Sequence, residues 1–266
     1  MTADRPVLDV NVDMGESYGR WQLGDDAAIM PYISSASIAC GFHAGDPRTM
    51  RRTVRAAIEH GVQIGAHISL PDLMGFGRRR MAISPEELRD YATYQIGALQ
   101  AFAASEGGRL GHVKPHGALY AMCVGDPELA GAVAGAIADV DRELLLLLLT
   151  ADVAPAVEAH GVRLVTEAFV DLDYDADGMI VIEPTKRAWD PERVARRAVR
   201  VARDRVIDAA DGSDVATDAQ TICIHGDGPN AVEIARTVKA ALEEAGVALT
   251  PLGRTLGRES RVGAPR

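Results

Sequence analysis

With 266 residues, 47% of them hydrophobic, the chain is long enough to bury a large core, and single α/β barrels commonly reach this size. A formal net charge of -10 argues against nucleic acid or an anionic membrane as partner, since either calls for a basic surface field. Cys40, Cys123 and Cys223 are odd in number and widely spaced, which argues against a disulfide framework and a thiolate zinc site. The expectation is one domain over residues 1–266 with a peripheral tail from about 252. It is expected in the cytoplasm, because residues 1–6 lack the apolar stretch of a signal peptide and the run 144–149 is too short to span a bilayer.

In chain order, strand-like runs fall at residues 8–12, 37–40, 62–66, 110–113, 144–149, 163–165 and 221–224. Most are continuously apolar, as strands buried on both faces of a parallel sheet should be. Helix starts lie between them at Asp46-Pro47, Ser84-Pro85, Asp126-Pro127 and Asp190-Pro191, each a capping side chain before a first-turn proline. Ser84 and Glu87 have the spacing of a capping box. Met50, Val54, Ala57 and Ile58 form an apolar stripe that Gly61 ends. Repeated β-α order leaves a closed barrel or an open doubly wound sheet, and seven strands, or eight if 247–250 joins, lean towards the barrel.

The runs end in chemistry. Asp13 follows the first, His43 the second, His67 the third, Lys114 and His116 the fourth, Glu167 and Asp171 the sixth, and His225 with Asp227 the seventh. In a barrel these positions converge on one rim. Asp13, His43 and His67 suit a divalent metal with an open position, or equally acid-base work without metal. Taken singly, each histidine reads as a hydrogen-bonded rim residue. His60 and His160 end helices before glycines, where imidazole suits the carbonyl terminus, and are read as structural.

Lys114, at the end of a buried strand, needs an anionic partner: a substrate group or a neighbouring acid such as Glu167. Arg78, Arg79 and Arg80 follow Gly75 and Gly77 in a loop able to wrap an anion, though three consecutive arginines cannot all point inward. No Gly-x-x-x-x-Gly-Lys-Ser/Thr loop, no Gly-x-Gly-x-x-Gly after the first strand and no Gly-x-Ser-x-Gly elbow is present.

Several long segments carry a specific resemblance: Asp9-Val-Asn11-Val-Asp13-Met-Gly-Glu16-Ser-Tyr-Gly, Ser-Ile-Ala-Cys-Gly-Phe-His43-Ala-Gly-Asp-Pro, Gly-Ala-His67, Pro71-Asp-Leu-Met-Gly-Phe-Gly-Arg-Arg and His112-Val-Lys-Pro-His-Gly-Ala-Leu-Tyr120. Together they resemble the LamB/YcsF family from about residue 8 to about 250. The resemblance implies a seven-stranded parallel β/α barrel of the glycoside hydrolase/deacetylase type. It also implies ATP-dependent hydrolytic opening of the lactam 5-oxoproline to glutamate, performed as an A subunit with B and C partner subunits. ATP with magnesium would then be held mainly by those partners. On this reading Asp13, His43, His67, Lys114, Glu167 and His225 are candidate catalytic residues. Asn11, Glu16, His116, Arg78, Asp171 and Asp227 are candidate substrate-binding residues. Asp13, His43 and His67 remain the candidate metal ligands.

The chain departs from the family pattern at Ile68-Ser69-Leu70, at Leu172, where relatives carry arginine, and over 182–189. If that arginine recognises an anionic group, this chain accepts a different lactam, imide or amide. Two other classes stay open: a metal-dependent, deacetylase-like amidohydrolase working without ATP, and a non-catalytic member that binds a ligand or stabilises a complex.

Overall fold

The computed structural model describes residues 6–181 and 186–256. Seven parallel strands form its frame: β1 (Val7–Met14), β2 (Ser35–Ala39), β3 (Gln63–Ile68), β4 (Leu110–Pro115), β5 (Leu145–Leu148), β6 (Arg163–Phe169) and β7 (Thr221–His225). They neighbour one another in chain order, and β7 pairs back onto β1, with Asn11 opposite Cys223 and Asp13 opposite His225. This closes the expected seven-stranded barrel. The candidate eighth strand is Ala248–Leu249, which pairs with Val7 and Leu8 at the start of β1, outside the ring.

The four Asp/Ser-Pro starts open helices Pro47–His60, Pro85–Ser105, Pro127–Val140 and Pro191–Asp204, each capped by the preceding side chain. Only half of the expected capping box forms. Ser84 Oγ accepts from Glu87 N at 3.2 Å, while the Glu87 carboxylate accepts from Tyr91 Oη. Gly61, in the left-handed region, ends the first of these helices, and the His60 ring bonds back to Ala56 O at 2.9 Å. Among the described residues no single helix is long and apolar enough to cross a membrane.

Strand periodicity divides β1 between two environments. Val10, Val12 and Met14 join the apolar layer beneath the helices, whereas Asp9, Asn11 and Asp13 meet side chains of other strands inside the barrel. At the bottom, Leu145, Leu147 and Val165 pack with Leu252, which is wholly buried. The tail expected at the periphery therefore begins inside the barrel floor. Residues 257–266, like 182–185 of the departing segment, lie outside the described residues.

Above that floor the interior is polar and every layer is knitted together. Asp9 accepts from Ser34 Oγ, Ser35 Oγ and Thr221 Oγ1 at 2.8, 2.6 and 2.6 Å; burial still pushes its carboxyl up to about 6. Asn11 Nδ2 donates to Thr221 Oγ1, Glu167 Oε2 and Ile222 O. His112, which burial and then Lys114 drive down to about 3, is neutral at physiological pH and bonds Ser37 Oγ at 3.0 Å. Its ring occupies the space that Gly65 leaves by lacking a β-carbon.

Gly65→Ala is expected to cost roughly 2–3 kcal/mol by overpacking against His112. In a His112→Ala background the same change should cost little, a coupling that a double-mutant cycle of urea titrations measures. Equal costs in both backgrounds would contradict the packing described.

Candidate active site

The carboxyl ends of the strands surround a cavity of about 330 Å³. Asp13, His67, Lys114, His116, Tyr120, Phe169, Leu172 and His225 line its inner part, and Arg78, Arg80, Ile180 and Lys186 its outer part. Three groupings of the candidate residues organise it.

The first is an ion pair. Lys114 is 1% exposed, and its Nζ donates to Asp13 Oδ1 at 2.8 Å, Asn11 Oδ1 at 3.2 Å and Cys223 Sγ at 2.9 Å, with Glu167 Oε2 at 3.5 Å. Burial opposes both charges. His67 and Lys114 nevertheless hold Asp13 well below the carboxylate range, and Asp13, Cys223 and Glu167 hold Lys114 well above the usual lysine value. The neighbouring acid is thus chiefly Asp13 rather than Glu167. Asn11 and Glu167 are not on the cavity wall; they support the pair from one layer below. Burial and then the neighbouring Glu167 carboxylate push the Tyr120 phenol well above its usual value.

The second grouping is Glu16, His43, His67 and His116, all buried. One donor atom from each lies within 4.8 Å of the others. Glu16 Oε1 is 3.1 Å from His43 Nε2, 3.5 Å from His116 Nδ1 and 3.9 Å from His67 Nε2, and the last two nitrogens are 3.0 Å apart. His43 stacks on His116 at 3.9 Å. Gly77, at φ 65°, lets the loop after β3 pass beside Ser69, His43 and His116, where a β-carbon would collide. The metal set anticipated from sequence was Asp13, His43 and His67; the geometry gathers Glu16 and His116 with the two histidines instead. Asp13 Oδ2 is 3.4 Å from His67 Nε2, but Oδ1 of the same carboxylate is engaged by Lys114.

The third is a dyad of which His225 lines the cavity and Asp171 stands behind it. Asp171 accepts from His225 N at 2.8 Å and lies 2.9 Å from His225 Nδ1. Although burial opposes its ionisation, His225 and Lys186 bring Asp171 down to about 2. Its carboxylate fixes the Nδ1–H tautomer and leaves Nε2 with the lone pair. The His225 ring stacks on Phe169.

The outer wall comes from the arginine loop and the segment after the hairpin of Asp173–Tyr174 and Ile180–Val181. Arg78 bonds Asp227 at 2.8 Å, and Lys186 lies 3.8 Å from the same carboxylate. Asp227 therefore positions cations and is not on the cavity wall. Arg79 turns away to Asp72, so two of the three arginines face the cavity. Sequence reading missed Tyr120 and Lys186, and of the three arginines in the anion-wrapping loop it singled out Arg78 but not Arg80. Tyr120 was visible as the last residue of the His112–Tyr120 motif, four positions past His116 and so one helical turn above it.

Asp171→Asn is expected to lower stability by about 2 kcal/mol at pH 7, from the depressed carboxyl. Because a lowered carboxyl stabilises only above its unfolded value, the deficit should hold from pH 7 to 5 and shrink below about 4. Urea titrations across that range check it; a deficit independent of pH would contradict it.

Comparison with known proteins agrees with this fold. The family model described as the LamB/YcsF family matches residues 8–257. The A subunit of 5-oxoprolinase from Bordetella pertussis is 48% identical over 247 residues, 92% of this chain and 98% of the relative. The structure of the lactam utilization protein from Thermus thermophilus superposes with a TM-score of 0.85 at 46% identity, covering 92% of this chain and 99% of that one. A deacetylase solved with substrate, 14% identical with a TM-score of 0.51 and covering 97% of this chain and 94% of the other, shares the fold alone. The chain belongs to the LamB/YcsF family.

Proposed function

We propose that the chain is a hydrolase that opens 5-oxoproline to glutamate in an ATP-dependent reaction. In this reading it is the A subunit of a cytoplasmic complex whose B and C subunits hold most of the ATP and magnesium site. The observation that carries it is the polarity of one small cavity: cations Arg78, Arg80 and Lys186 at the mouth and the Lys114–Asp13 pair at the inner end. At about 330 Å³ the space is near the lower end of ligand pockets, which suits a metabolite with an anionic end and a reacting amide. Similarity to a 5-oxoprolinase component and to a lactam utilization protein supports that choice of substrate.

The substrate carboxylate binds at the mouth, where Arg78 and Lys186 are already spaced by Asp227. Arg78, Lys186 and Leu172 line the same cavity, so positive charge is present there without the arginine of the family pattern. The lactam oxygen points inward. Lys114 has three acceptors, and the weakest is the Cys223 thiol, so an incoming oxygen displaces that bond while Asp13 and Asn11 hold the ammonium. The fixed positive charge of the buried ammonium stabilises the oxygen as negative charge develops on it.

A lactam is resonance-stabilised, and phosphorylation of its oxygen makes the ring carbon electrophilic. Water then adds to that carbon as His225 Nε2 takes its proton, with Asp171 balancing the imidazolium. The adduct collapses with cleavage of the ring C–N bond, the proton passes to the departing nitrogen, and a second water displaces phosphate to give glutamate. A divalent metal held by the Glu16 and histidine cluster would supply positive charge beside His67; none of these steps is assigned to it.

The test is ATP-coupled glutamate release from 5-oxoproline by the chain mixed with its partner subunits. His225→Gln should lower kcat by about 10²–10⁴ with little change in KM, whereas Arg78→Gln should chiefly raise KM. Glutamate release by the chain alone without ATP would favour the deacetylase-like reading. Full activity of the His225 variant would remove it as the base.

A further inference from the structure

Two histidines in the barrel rim turn acceptor nitrogens towards each other. His67 Nδ1 lies 3.1 Å from Lys114 O, and His116 Nε2 lies 2.8 Å from Phe76 O. A carbonyl oxygen only accepts, so each of those nitrogens carries the proton. In the neutral rings the lone pairs are then on His67 Nε2 and His116 Nδ1, which are 3.0 Å apart. Glu16 Oε1, a third electron-rich atom, is 3.5 Å from His116 Nδ1 and 3.9 Å from His67 Nε2. Such a meeting of acceptors away from water is repulsive unless a proton or a cation lies between them, and a single proton bridges one pair whereas four donor atoms converge here. His43 Nε2 completes the set at 3.1 Å from Glu16, and His43 Nδ1 has no partner that would fix the opposite tautomer.

The spacings fit a small four-coordinate cation. Four ligands at about 2.0–2.1 Å from a tetrahedral zinc lie about 3.3 Å from one another; four of the six separations here are 3.0, 3.1, 3.5 and 3.9 Å, and all six are within 4.8 Å. Imidazole and carboxylate are a donor set for zinc rather than for calcium or magnesium. Both backbone carbonyls act as the outer hydrogen-bond partners that metal-bound histidines generally have. The neighbouring group of Asp13, Cys223 and His225 is also compact, but the Lys114 ammonium already bonds Asp13 and Cys223 there.

We propose that Glu16, His43, His67 and His116 bind one zinc-class divalent cation in a closed, four-coordinate site. With four protein ligands it has no position for a water nucleophile, so the ion ties the loops after β1, β2 and β4 to the end of β3 and orients the wall of the cavity. The proposal holds whichever substrate the cavity takes.

Untagged protein purified without chelator should contain about one equivalent of metal by plasma mass spectrometry. Cobalt loaded into stripped protein should give the intense visible band of a four-coordinate ion, and zinc should raise the Tm of the stripped protein. Glu16→Gln and His116→Gln should each reduce bound metal several-fold, while Asp13→Asn retains it. If a ligand variant does not fold, zinc titration of stripped wild-type protein by calorimetry gives the stoichiometry directly. Failure of the stripped protein to take up zinc or cobalt would overturn the proposal. So would the weak band of six-coordinate cobalt, or loss of metal in Asp13→Asn with retention in Glu16→Gln.

Discussion

A lysine ammonium buried inside a barrel is the constraint on which the rest of this molecule depends. Removing one partner of such a pair typically costs about 3–5 kcal/mol, because the other charge is left uncompensated. Lys114 therefore requires Asp13 at 2.8 Å, and both require the layer beneath them. Asn11 ties Lys114 to Thr221 and Glu167, and Asp9 gathers Ser34, Ser35 and Thr221 below that. The polar column inside the barrel is the foundation that keeps a charged pair fixed at the inner end of a small cavity.

That foundation divides the rim into sectors. His225 with Asp171 stands on one side of Lys114 and the Glu16 and histidine cluster on the other. The mouth is cationic where Arg78, Arg80 and Lys186 reach inward. A site with a buried, preorganised interior and a charged mouth favours a substrate that is anionic at one end and reactive at the other. The deacetylase solved with substrate shares the barrel at 14% identity, so its chemistry does not transfer.

Much of this was legible in the sequence, for identifiable reasons. Apolar runs ending in Asp13, His67 and His225 announced a barrel rim because strand ends in parallel barrels converge. Pro47, Pro85, Pro127 and Pro191 placed four helix starts because a proline in the first turn loses no hydrogen bond. The grouping of ligands was not legible: Asp13 and Glu16 are three residues apart, and only the turn after β1 decides which meets the histidines. Lys186 and Arg80 reach the cavity from loops whose course no periodicity encodes. Serines 34 and 35 do not read as strand, yet their hydroxyls on Asp9 mark where β2 begins.

The central claim is that one cavity binds 5-oxoproline with its carboxylate at the mouth and its lactam oxygen at the inner end. The most direct measurement is the position of 5-oxoproline in a crystal structure of the assembled complex without ATP. The account predicts the lactam oxygen within hydrogen-bond distance of Lys114 Nζ and the carboxylate against Arg78, Arg80 or Lys186. A ligand bound the other way round, with its carboxylate on Lys114, or bound outside this cavity, would contradict it.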